Sequence, residues 1–321
     1  MPTYNVLHLN AAIACMHGIP AGASTCISSL QQNIKRMSSR SSIEMLKYLT
    51  DKDGVKHAHP TRFAATLSET ISFAQHMPQF NGHIQVCLSP LVEAFKNLGF
   101  TSFNVNQVFN PHFFENALMH FQTNVQTRAF AEHVQSWATL SEHTSTMYDK
   151  AIKLLLKNVN GFDLYELILC TPLNPHLLNN LKVASQTQYS RKLDKEIIQL
   201  ICKNERNDVC MIMHKAEINI NQQYVDRYII AVQRQYIDDK HELEDCSFEQ
   251  NVQALVGLHS NSKVYFQPCS LNGFMTTHRF MNSNPQLKAQ IKQLKTYLVG
   301  TDTLVRLHAD QPSFRILYTK F

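Results

Sequence analysis

The residues best spaced for chemistry lie between Cys15 and Met37, in CMHGIPAGASTCISSLQQNIKRM. A loop of Gly, Pro and Ala runs there into a helix expected over about Thr25–Met37, with Cys26 in its first turn. The N–H groups of a first helical turn lack intrahelical acceptors, and the macrodipole is positive at that end. A thiol placed there leans toward thiolate. The same helix sets Cys26 on one stripe with Leu30, Ile34 and Met37, at i+4, i+8 and i+11. On such a stripe a thiol also serves as a small buried hydrophobe, so both roles stay open. Cys15, five residues after Asn10, is the alternate nucleophile, with the Asn10 amide as its oxyanion donor. Its context, ACMHG, predicts a turn.

A nucleophilic cysteine needs a base, and the base needs a third group to hold it. His83 opens an expected strand, His83–Leu88, directly after an Asn-Gly turn. Asn110 ends the next one, Thr101–Phe109, and could orient the imidazole. STCISSLQQNI followed by GHIQV and FNPHF resembles the Cys, His, Asp/Asn order of papain-like cysteine peptidases, in particular the compact peptidases and deubiquitinases among bacterial secreted effectors. The resemblance covers about residues 20–115. It implies a cysteine-dependent hydrolase, a thiol protease acting on a protein or ubiquitin-like substrate. Cys26 would be the nucleophile, His83 the general base and acid, and Asn110 the orienting residue. Pro20 stands where that family places its oxyanion amide, and an expected helix separates His83 from Asn110.

Other chemistries compete for the same residues. A strand, the loop HGIPAGAST and a helix N-terminus can cradle phosphate through backbone N–H groups, as at the opening of nucleotide-sugar glycosyltransferases, which this stretch resembles. Neither GxxxxGK[ST] nor GxGxxG is present, so no nucleotide cofactor is expected. His57 and His59 in KHAHP could reach one ion, yet no HExxH or paired CxxC completes a set, and no metal is expected. Lys288, Lys292 and Lys295 fall at i, i+4 and i+7, on one polar helix face that could touch a partner or an anionic membrane surface. That face suits a third reading, a non-enzymatic adaptor. The basic clusters Lys35, Arg36, Arg40 and Arg191, Lys192, Lys195 flank helices and read as solvent-facing, so nucleic acid is not expected.

Composition sets the outer bounds. A chain of 321 residues with 44% hydrophobic residues can bury a large core, as two domains or one large α/β unit. No apolar run approaches the roughly eighteen residues of a membrane span. The opening MPTYNVLHLN has no basic or apolar leader pattern. A formal charge of +5 permits an anionic partner. The eight cysteines include no CxxC pair, which fits reduced thiols in a cytoplasmic, reducing compartment, or delivery into a host cell without a Sec signal.

The elements that must position these residues alternate between strand and helix. Strands are expected at Tyr4–Leu9, Leu164–Thr171, Val209–His214, Val264–Gln267 and Thr303–His308. Helices are expected at Ser42–Leu49, Pro60–Ala74, Pro90–Leu98, through much of His112–Val159, and at Pro285–Leu298. The longest single helix is expected over Gln222–Glu242, where Tyr224, Tyr228, Val232 and Tyr236 repeat every four residues. A terminal hairpin turns at DQPS. The pattern predicts an α/β fold with a mixed or largely parallel sheet: a papain-like catalytic part over 1–189 and a second, partner- or substrate-binding part over 190–321. The expected seam is Ser185–Lys192, with Ser141–Ser145 as its rival.

Overall fold

The computed structural model describes residues 4–17, 31–39, 46–76, 87–98, 111–172, 183–203, 208–219, 221, 223–234, 253–254, 263–307 and 310–321. Its first element corrects the expected strand at Tyr4–Leu9. Val6–His17 is a helix, α1. The Asn5 carboxamide accepts from the N–H groups of Leu7 and His8 at 2.9 and 3.3 Å and so caps the helix start. Leu9, Ala12, Ile13 and Met16 are buried at helical spacing, and this period overrides the short alternation in NVLHL.

A cluster of short helices packs on one flank of α1. It comprises α2 (residues 31–38), α3 (Arg62–His76), α4 (Pro90–Lys96) and α5 (Pro111–Val125). Ile34, Met37, Phe63, Leu67, Phe95 and Phe121 form its core with Leu9 and Ile13. The expected helix at Ser42–Leu49 is a correction. Leu46–Thr50 is a strand, β1, paired antiparallel with β2 (Lys56–Pro60). The turn between them decides for the hairpin: the Asp51 carboxylate accepts from Asp53 N–H and Val55 N–H, and Gly54 takes φ +83°.

The centre of the molecule is a six-stranded sheet in the order β10-β5-β6-β4-β7, with β8 also paired to β4. Its strands are β4 (Gly161–Pro172), β5 (Val209–Ile218), β6 (Gln223–Gln233), β7 (Lys263–Pro268), β8 (Arg279–Met281) and β10 (Phe314–Thr319). Every described pairing is antiparallel, so the expected parallel arrangement does not hold. The cause lies in segment 222–242, where a strand replaces the expected helix over the described residues. Its described part is β6, joined to β5 by a tight turn in which Gln223 N–H donates to the Asn219 carboxamide at 3.0 Å. A period of four is even, so Tyr224, Tyr228 and Val232 share one face of a strand as readily as one face of a helix.

Helices cover both sheet faces. On one lie α1, α6 (Arg128–Asn158) and α8 (Leu287–Leu298), with Tyr148, Ile152, Leu294 and Tyr297 packed on Phe162, Met213 and Ile229. On the other lies α7 (Val183–Lys203), with Leu193 and Ile197 on Leu167, Tyr228 and Ile230. The expected terminal hairpin is a further correction: β9 (Val305–Arg306) pairs with β3 (Cys87–Leu88), while β10 pairs with β5. Strands from both sides of residue 189 share the sheet, and residues 185–192 lie within α7. Ser141 and Ser145 are buried along α6. Among the described residues no helix is long and apolar enough to cross a membrane.

Candidate functional site

Cys26, His83 and Asn110 lie outside the described residues, as does most of the HGIPAGAST loop. The described stretch nearest Cys26 is α2, where Ile34 and Met37 are fully buried, in keeping with the expected apolar stripe. Cys15 is described, and it sits in the last turns of α1 rather than in a turn. Its surroundings oppose activation. Burial pushes the thiol up, and the C-terminal end of a helix is the negative end of its dipole. Asn10, five residues earlier, is about 140° round the helix from Cys15, so its amide does not share a face with the thiol. Burial likewise raises Cys170, Cys202 and Cys210, and it raises buried Cys269 well above the usual thiol range.

Two buried polar networks cross the sheet. Sequence reading missed them because their members are scattered over distant strands. On the α1 face, the Arg227 guanidinium donates to both oxygens of Glu217 at 3.2 Å and pairs with Glu166. The second Glu166 oxygen accepts from Gln267 at 2.7 Å and from Ser270. Asn272 accepts from Arg227 at 3.1 Å and donates to the Cys15 carbonyl at 2.9 Å, capping the end of α1. Nearby, Lys215 donates to Asp302 at 2.6 Å, to Thr301 and to the Leu298 carbonyl at the end of α8. Buried charges are tolerable when paired and fully hydrogen-bonded, as these are.

On the α7 face, His214 Nε2 lies 2.7 Å from Asp226 Oδ1, and Arg315 Nη2 lies 3.2 Å from His214 Nδ1. A guanidinium only donates, so Nδ1 accepts and Nε2 donates. Arg315 continues to Asp194 of α7 at 3.0 Å, and Tyr228 donates to the same carboxylate. The pair has the look of a base and its orienter. Yet the ring is 1% exposed and both nitrogens are committed, which leaves no lone pair to take a proton from a substrate. The network fastens β5, β6 and β10 to α7. His57 and His59 share one face of the exposed strand β2, with His57 held 2.7 Å from Asp51. Among the described residues no three metal-ligating side chains converge.

The outward-facing feature is basic. The expected lysines lie on α8, with Lys288 and Lys292 exposed. Lys295 donates to Asp149 of α6 at 2.6 Å. The two helices run antiparallel side by side: Tyr148 donates to the Ile291 carbonyl, and Asn282, before α8, donates to the Leu156 carbonyl. Beyond Asp149 along α6 come Lys150, Lys153 and Lys157, all exposed. Six lysines against one carboxylate give this face +5, and the remaining charges of the chain, buried and exposed together, sum to zero. The α6 half escaped sequence reading because nothing local in a 31-residue helix says which neighbour its lysines will meet. Comparison with protein-family models, with curated proteins and with solved structures finds no match for this chain.

Proposed function

We propose that this chain is an interaction protein that docks on a negatively charged partner through the α6/α8 lysine face. The observation that carries the reading is the gathering of six lysines, five of them exposed, around one carboxylate on two adjacent helices. A rigid body stands behind it, since Tyr148 and Tyr297 root both helices in the sheet core. The buried ionic networks are closed and serve the scaffold, and burial raises the thiols of Cys15, Cys170, Cys202, Cys210 and Cys269, away from nucleophilic poise.

The test is retention of the full chain on immobilised heparin, a soluble polyanion. Lys153→Glu/Lys288→Glu/Lys292→Glu reverses the face. Lys47→Glu/Lys52→Glu/Lys56→Glu makes the same change of charge on the β1–β2 hairpin. The reading expects loss of retention only in the first. Equal loss in both makes the effect one of net charge and overturns it.

A second reading keeps the cysteine hydrolase with Cys26 as nucleophile, His83 as base and Asn110 as orienter, acting on a protein or ubiquitin-like substrate. What favours it is the buried stripe of Ile34 and Met37, which continues the helix whose first turn would carry Cys26. Iodoacetamide under mildly acidic conditions then labels Cys26 ahead of Cys15, Cys170 and Cys202. Uniformly slow labelling of all eight cysteines removes the hydrolase.

A further inference from the structure

We propose that the anionic partner is a membrane surface bearing acidic lipid, seated against α6 and α8. This inference rests on the reading of the lysine face given above. The cations of the face are all lysine. An ammonium is a compact, hydrated charge on a flexible stem, suited to a diffuse negative surface. Planar, bidentate recognition of a single phosphate or carboxylate favours the fork of arginine, and the face has none. Two helices packed side by side present a broad face, and α8 alone, at 12 residues, extends about 18 Å, enough to span several headgroups.

The aromatic residues of these helices next to the lysines, Tyr148 and Tyr297, are fully buried, so no ring is offered for base stacking. On α6 the lysines are bordered by Met147 and Leu154, two turns apart and 42% and 38% exposed. Apolar tips beside a lysine row suit the boundary between headgroups and acyl chains. Lysine attraction and shallow apolar contact act together on a bilayer, whereas a soluble polyanion uses only the first.

The experiment is co-sedimentation of the full chain with vesicles of phosphatidylcholine alone and with about one third phosphatidylserine. Binding is expected to the acidic vesicles only, and weaker as salt shortens the Debye length. Lys153→Glu/Lys288→Glu/Lys292→Glu should weaken it at least about tenfold, while the hairpin triple variant should bind as the wild type does. Asp149→Asn should strengthen it, an outcome that loss of folding cannot mimic. Retention on heparin without vesicle binding overturns the lipid assignment and leaves the docking face standing. Vesicle binding untouched by the face reversal, or binding to neither probe, overturns both.

Discussion

Lys295 Nζ stands 2.6 Å from Asp149 Oδ2 and bridges α8 to α6 across the lysine face. The aspartate side chain is 59% exposed and the lysine 18%, so the pair is a half-open surface contact worth less than about 1 kcal/mol in stability. Its larger effect is on charge, because Asp149 is the one carboxylate among the six lysines. Asp149→Asn should shift the urea midpoint little and raise affinity for acidic vesicles about fivefold. A large stability loss without a gain in affinity would show the pair to be a structural clamp.

Arg227 is fully buried between Glu166 and Glu217. Arg227→Met removes the cation and leaves two carboxylates facing each other out of water. The expected cost is about 3–5 kcal/mol, read from urea unfolding. Arg227→Lys should recover little of it, because one ammonium cannot replace a fork that serves Glu166, Glu217 and Asn272 at once.

Three consecutive residues, Leu271, Asn272 and Gly273, adopt positive φ of 50°, 57° and 80°. This turn aims Asn272 at both Arg227 and the Cys15 carbonyl. A Cβ added at Gly273 meets nothing within 4 Å, so Gly273→Ala isolates the backbone cost. That cost should be about 1 kcal/mol in the unfolding free energy. No loss at all would mean that the turn relaxes without penalty.

Alkaline pH should unfold the protein through its tyrosines. Burial pushes Tyr4 up to about 12 and Tyr148, Tyr228 and Tyr297 well above their ordinary value. The unfolded chain ionises its tyrosines near about pH 10. The stability these groups contribute is therefore complete below that pH and is lost as pH rises through the folded values. Tyrosinate absorbance should show these phenols ionising together with the loss of tertiary structure. Smooth titration of all eleven tyrosines near pH 10 in a folded chain would contradict the burial.

The legible and illegible parts of this fold separate by range. Helix α4 with Pro90 at its start, helix α8, and strands β4, β5 and β7 were readable because caps, prolines and short apolar runs act within a few residues. Strand β6 was not, since an apolar residue every fourth position satisfies strand and helix alike. Strand β1 is hard to read because it is short and exposed and its partner follows an Asp-Gly turn set among charged residues. The pairing of β10 with β5 and of β9 with β3 is decided by contacts about a hundred or more residues apart. At the candidate site, Lys288, Lys292 and Lys295 were visible as one helix face. Lys150, Lys153 and Lys157 joined them only when α6 docked beside α8.

The most direct measurement is lysine acetylation of the full chain, read site by site by mass spectrometry, with and without vesicles containing phosphatidylserine. Seating of α6 and α8 on the bilayer predicts slowed acetylation at Lys150, Lys153, Lys157, Lys288 and Lys292, with Lys47, Lys52 and Lys56 on the hairpin unchanged. Slowing centred on the hairpin lysines, or spread evenly over the chain, would contradict the assignment of this face.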